Sequence, residues 1–147
     1  MAGRPGIAHT GDAVRTAMTA PVVALDPGTV LRAAAQVLRR HDIGAAVVED
    51  AGRFVGMLSE RDLVQAVADG LDLDREQVGS VMTDSPRPVD ADSPLWAATI
   101  VMLRHGIRHL PVTDEHGIVG MLSIRDALAV SDQDRIVGPS SGGLLDA

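Results

Sequence analysis

The 147-residue chain has no cysteine, no lysine and no tyrosine, and its only aromatic side chains are Phe54 and Trp96. Without cysteine there is no disulfide framework, iron–sulfur site, thiol nucleophile or thiolate zinc site, and a reducing compartment suits such a chain. Scarce aromatics remove the stacking platforms that single-strand nucleic-acid binders use. All 13 basic residues are arginines; against 20 acidic ones they leave a net charge of −7, with no basic run. The electrostatic footprint of a general nucleic-acid binder is therefore missing. No apolar stretch approaches a membrane span, and residues 1–11 lack the apolar core of a signal peptide. The expectation is a cytoplasmic protein with neither membrane nor nucleic-acid partner. Apolar residues still make up 46% of the chain, enough to build a core.

The chain carries an internal repeat. A shift of 64 positions aligns residues 14–67 with 78–131 without a gap, about 20 of 54 positions being identical. Met18-Thr19 falls on Met82-Thr83, and Arg40-His41-Asp42-Ile43 on Arg104-His105-Gly106-Ile107. Gly56-Met57-Leu58-Ser59-Glu60-Arg61-Asp62 falls on Gly120-Met121-Leu122-Ser123-Ile124-Arg125-Asp126. The chain divides into a flexible N-terminal tail (1–11), repeat 1 (12–70), an acidic linker (71–77), repeat 2 (78–131) and a flexible C-terminal tail (132–147).

Each unit opens with a helical lead-in and an extended, Pro-marked segment. An amphipathic helix follows, with Leu31, Ala34, Val37 and Leu38, or Leu95, Ala98, Val101 and Met102, at helical spacing. Thr29 is the expected N-cap of the first helix; for the second, Ser93 is the expected cap with Pro94 in the first turn. Gly106 suits the C-terminal end of the second. A hairpin and a second helix, opened by Ser59 or Ser123, complete a β-α-β-β-α unit. One such unit has a three-stranded sheet with a bare face and is marginal alone. The expected fold class is α/β (α+β), two β-α-β-β-α repeats with pseudo-two-fold symmetry packed through their sheets.

The strongest chemical signal is strand-Gly-hydrophobic-hydrophobic-Ser-x-Arg-Asp-helix, present twice. A hydroxyl and free amides at a helix start suit an anion, and an Asp in the first turn can grip vicinal hydroxyls such as those of a ribose. The same Ser-x-x-Asp is also close to a capping box, in which the acid only satisfies the cap amide. His41 and His105, equivalent at helix ends, lack the company of a metal site and read as favourable helix-end cations. No Gly-x-Ser-x-Gly elbow or Gly-rich phosphate loop is present.

Two units of this pattern, with Met-Thr leading in and Gly-h-h-Ser-x-x-Asp at the end, resemble a tandem pair of cystathionine-β-synthase (CBS) domains, a Bateman module, over residues 12–131. Leu110-Pro111-Val112 and Asp114 match the family's strand, whereas Ala46-Val47-Val48-Glu49-Asp50 departs from it. The resemblance implies a stand-alone, non-catalytic regulatory module that requires no cofactor and holds no metal. It would bind adenosine-containing ligands (AMP, ADP, ATP or S-adenosylmethionine) in clefts between the repeats. It also implies a homodimer formed through exposed helices, for which Leu63, Val64, Val67 and Leu128 are candidates, the alternative being that they are intrachain core, and output through an unknown protein effector.

Carried over, one cleft would hold Thr19, Val22, Val23, Gly44, Ala45 and Ala46 with Ser123, Arg125 and Asp126. The other would hold Thr83, Arg87, Arg108, His109 and Leu110 with Ser59, Arg61 and Asp62. Asp62 and Asp126 would take ribose hydroxyls, and main chain near Ala46 and Leu110 the adenine edge. Because guanidinium forks suit phosphate, Arg87 and Arg108, with His109, lead to the expectation that the Asp62 cleft prefers phosphorylated adenosines, while the Asp126 cleft is weaker or takes a less charged ligand. The alternatives are a ligand-free structural or dimerisation scaffold, a small enzyme and a nucleic-acid-binding member.

Overall fold

A computed structural model describes residues 9–84 and 87–129; the expected C-terminal tail and most of the N-terminal tail lie outside them. The elements are a 3-10 turn (Val14–Thr16), β1 (Ala24–Leu25), α1 (Leu31–His41), β2 (Ala45–Asp50), β3 (Arg53–Ser59), α2 (Glu60–Ala68) and α3 (Val78–Val81). Then follow β4 (Thr83–Asp84), β5 (Val89–Asp90), α4 (Leu95–His105), β6 (His109–Asp114), β7 (Gly117–Ser123) and α5, residues 124–129. The expected mixed architecture of two repeats is present. No helix among the described residues is long and apolar enough to cross a membrane.

The sheets have the orders β1-β2-β3-β4 and β5-β6-β7. β1 runs parallel to β2 and β5 parallel to β6, while each hairpin is antiparallel. Both hairpins carry a register shift at the same place, Val48/Glu49 and Val112/Thr113. The Asp50–Arg53 turn has positive φ at Ala51 and Gly52, the geometry of a tight primed turn.

Strand alternation sorts the side chains. On β2 and β3, Ala46, Val48 and Leu58 face the helices with Leu31, Ala34 and Leu38. Leu110, Val112 and Leu122 do the same beside Leu95, Ala98 and Met102. The opposite strand faces supply Ala45, Val47, Met57 and Met121, which meet between the sheets with Val22, Phe54 and Ile118. The shared core is aliphatic and thioether-rich, as a chain with two aromatics requires.

The lead-in segments cross over between the halves, which the repeat alone does not reveal. Val14 is fully buried in the core of repeat 2 and Val78 in that of repeat 1. Thr19 pairs with Met121 on β7, and Thr83–Asp84 pairs with Met57 and Gly56 on β3. Each chain segment then returns to its own sheet, at Ala24–Leu25 and at Val89–Asp90. The Gly of each Gly-h-h-Ser motif has a place in this crossing. A Cβ on Gly56 would lie 2.6 Å from the Thr83 carbonyl oxygen, and one on Gly120 would meet the Met18 thioether and the Thr19 carbonyl oxygen. Only glycine lets the swapped strand lie this close.

The expected side-chain caps of the long helices do not form. The residues flanking α1 and α4 at their N-termini are Val30 and Pro94, without side-chain cap hydrogen bonds. The first amides are satisfied by backbone carbonyls of the segment ahead of the opposite repeat. Leu31 and Arg32 donate to Glu76 and Leu73, while Leu95 and Trp96 donate to Asp12 and Thr10. Thus residues 71–77 are part of the fold, not a loose connector, with Leu71 and Leu73 packed on the first core and Arg32 paired to Asp74 at 2.6 Å. Ahead of residue 12, the His9 amide donates to the Asp12 carboxylate at 2.7 Å. Gly106 does take the left-handed conformation expected at the end of α4, and Asp42 takes it at the end of α1.

Candidate functional site

β3 ends at Ser59 and β7 at Ser123, and α2 and α5 begin at the next residue. Each repeat pins the mouth of its hairpin to the start of this helix. The Glu60 amide donates to the Gly44 carbonyl at 2.9 Å, and the Ile124 amide to that of Arg108 at 2.8 Å. The Ser-x-x-Asp motifs are thereby presented at the sheet edges, beside the residues that open β2 and β6.

A cavity of about 570 Å³, within the range of small-molecule sites, opens where these edges meet. From repeat 1 it is lined by Thr19, Pro21, Val22, Val23, Asp42, Ile43, Gly44, Ala45 and Glu60. Repeat 2 contributes Arg108, His109, Met121, Ser123, Ile124, Arg125 and Asp126. Of the set anticipated around Asp126, only Ala46 does not line it; alternation along β2 turns its side chain into the first core.

The set anticipated around Asp62 is split. Arg108 and His109 line the Asp126 cavity instead, because the Ile124–Arg108 hydrogen bond holds the start of β6 against α5 of its own repeat. Leu110 is buried in the second core. Arg61, Thr83 and Arg87 are exposed, and with Ser59 and Asp62 they lie outside the lining of this cavity.

The two aspartates differ. Asp62 closes a capping box: its Oδ2 accepts from the Ser59 amide at 2.8 Å and from the Ser59 hydroxyl at 3.1 Å, while Ser59 Oγ accepts from the Asp62 amide. At the second motif the Asp126 amide donates to Ser123 Oγ at 3.0 Å, but the Asp126 carboxylate has no hydrogen bond or ion pair among the described residues. That carboxylate faces the cavity and is free to accept from a ligand. Arg108 and Arg125 form no ion pair among the described residues either.

His109 packs over Gly44, where an added Cβ would stand 2.8 Å from its Nε2. Burial holds its imidazole below the ordinary value of 6.5; Glu60 pulls upward, Arg108 downward and Asp126 upward. The neutral form of the imidazole is therefore favoured. Glu60 and Asp42 were not anticipated in the site. The pattern marks one only as a first-turn helix residue and the other as a helix end; the remaining signal is that the partner of Glu60 in the repeat is Ile124.

The CBS domain family model matches twice, at residues 14–69 and 78–133. The chain belongs to the CBS domain family. Among curated relatives of this CBS pair, Hypoxic response protein 1 of Mycobacterium tuberculosis is 39% identical over 114 residues, which span 76% of this chain and 80% of that protein. A crystal structure of Hypoxic Response Protein I with two coordinated zinc ions matches with a TM-score of 0.68 and 35% identity, over 80% of this chain and 97% of that one. Among the described residues here, no group of three or more His, Asp or Glu could hold a metal ion. A CBS domain protein of Pyrobaculum aerophilum, complexed with AMP, matches with a TM-score of 0.71 and 32% identity, covering 82% of this chain and 98% of that one.

Proposed function

We propose that this CBS pair is a regulatory sensor holding one adenosine-containing ligand per chain in the cavity at Asp126. The observation carrying this reading is the inequality of the two motifs. Asp62 spends its carboxylate on the helix start, whereas the Asp126 carboxylate faces a ligand-sized cavity with its acceptors open. Ribose hydroxyls would donate to Asp126, adenine would lie against the aliphatic wall of Val22, Val23 and Ile43, and an anionic tail would reach Arg108 and Arg125. AMP in the complex of the Pyrobaculum relative supports this ligand class. The expected preference for phosphorylated ligands thus moves from the Asp62 side, with Arg108, to the Asp126 side.

The reading is non-catalytic, assigns a cytoplasmic setting, and passes the ligand state on by association. Trp96, Ile100 and Leu103 expose a stripe along α4, and Val64, Val67 and Leu128 are also exposed. Such surface suits a second copy of the chain or a protein effector. Of the two places open to Leu63, the packing favours the first core. For the motif of repeat 1, the capping box favours the purely structural reading.

The test is calorimetric titration of AMP and S-adenosylmethionine into the wild type, Asp126→Ala and Asp62→Ala. Hydrogen bonds to a charged acceptor contribute about 1.5–3 kcal/mol, so Asp126→Ala should weaken binding about 10- to 100-fold. Asp62→Ala should change it less than about threefold. No heat from either ligand with the wild type at millimolar concentration would defeat the sensor reading.

A further inference from the structure

The cavity walls are oppositely charged. Repeat 2 brings Arg108 and Arg125, whereas repeat 1 brings Asp42, at the left-handed end of α1, and Glu60, the first residue of α2. The side chain of Glu60 is not tied elsewhere: it has no ion pair or side-chain hydrogen bond among the described residues. It approaches the same backbone point as His109, the Glu60 Cδ standing 3.8 Å from the position of a Cβ on Gly44. The Glu60 side chain thus stands at the cleft opening of β2, beside His109 and in the same cavity lining as Arg108 and Arg125. With His109 neutral, two guanidiniums confront three carboxylates, those of Asp42, Glu60 and Asp126. If Asp126 is occupied by ribose, as the reading above has it, two arginines match one phosphate dianion. Every further phosphate adds negative charge that meets acid and no additional cation among the described residues lining the cavity.

We propose that Glu60, assisted by Asp42, is the selectivity residue of this cleft. It admits an adenosyl ligand with a single anionic group and disfavours the polyphosphate tails of ADP and ATP. The proposal rests on the ligand reading above but makes a separate claim, about the tail and not the adenosine. It also gives a role to the difference between positions 60 and 124, since the isoleucine of repeat 2 carries no charge to discriminate with.

The experiment is titration of AMP, ADP and ATP, without magnesium and at low ionic strength, into the wild type, Glu60→Gln, Asp42→Asn and the hairpin-turn control Glu115→Gln. Folding of each variant is verified by its thermal transition. Asparagine tolerates the left-handed conformation at position 42, so that variant probes the same charge from another element. The wild type should bind AMP more tightly than ATP. Glu60→Gln should raise ATP affinity about fivefold, as expected for like charges several ångströms apart in a high dielectric, and AMP affinity less than about twofold. Asp42→Asn should shift the ratio in the same direction, Glu115→Gln should leave it unchanged, and salt should shrink the effect. A wild type that prefers ATP, or an ATP-to-AMP ratio unaltered in both Glu60→Gln and Asp42→Asn, would overturn the selectivity while leaving the site standing. Failure of all three nucleotides to bind the wild type would overturn the site itself, and the selectivity with it.

Discussion

Substituting Gly56 by alanine tests whether the swapped lead-in strand locks the two repeats together. The added methyl would stand 2.6 Å from the Thr83 carbonyl oxygen and 2.8 Å from the Met82 thioether. Ordinary carbon contacts are about 3.5 Å, so the backbone of β4 must retreat by close to 1 Å. Overpacking of this kind costs about 1–3 kcal/mol, and the retreat weakens the pairing of Met57 with Thr83. Alanine also restricts the unfolded chain, which offsets about 0.5–1 kcal/mol. The net loss is about 1–2 kcal/mol, or a Tm lower by about 3–6 °C. Gly120→Ala should cost about half as much, because its tightest contact is the flexible Met18 thioether and the Thr19 carbonyl oxygen stands at 3.1 Å. Gly11→Ala, with no atom within 4 Å of the new Cβ, should stay within about 0.5 kcal/mol of wild type. Urea denaturation of the three variants provides the comparison. A Gly56→Ala protein as stable as Gly11→Ala would refute the locking role of the crossing strand.

Stability should also depend on the protonation of His109. Its folded-state value lies below 6.5, so the unfolded chain takes up the proton more readily. The contribution is complete above pH 6.5 and is lost as the pH falls through the folded value. Urea midpoints between about pH 7.5 and 5 should fall less steeply for His109→Gln than for wild type; equal slopes would contradict this. Asp62→Ala should cost about 1 kcal/mol through loss of the capping box, measured by the same titration, and a cost near zero would argue against the cap. In the homodimer proposed above, Leu103→Glu, at a position 66% exposed on α4, should convert the dimer to a monomer in sedimentation, whereas a mass unchanged from wild type would remove that face from the interface.

The repeat, the order of strands and helices and the place of each Ser-x-x-Asp motif were legible because hydrophobic spacing and internal identity report them directly. What remained hidden concerns which parts touch. The resemblance sets Thr19 near Ser123 and Thr83 near Ser59, but nothing in an extended segment shows that it pairs as a strand, with Met121 on β7 or Met57 on β3. Thr29 and Ser93 look like caps because the sequence cannot show that carbonyls of Glu76 and Asp12 reach those helix starts first. The site was half legible for the same reason. The residues grouped with Asp126, Ala46 apart, line one cavity, and Arg108 and His109 join them because a local hydrogen bond ties β6 to α5. The capping-box and ligand readings of Ser-x-x-Asp cannot be separated by pattern. Here the two copies divide between them, one carboxylate turned back to its own helix and the other left open.

A crystal structure of the protein with AMP tests the central claim most directly. The expected result is one nucleotide per chain in the cavity, with ribose hydroxyls donating to Asp126 and the phosphate between Arg108 and Arg125. A nucleotide bound instead at Ser59 and Asp62, or a cavity left empty by AMP at saturating concentration, would contradict it.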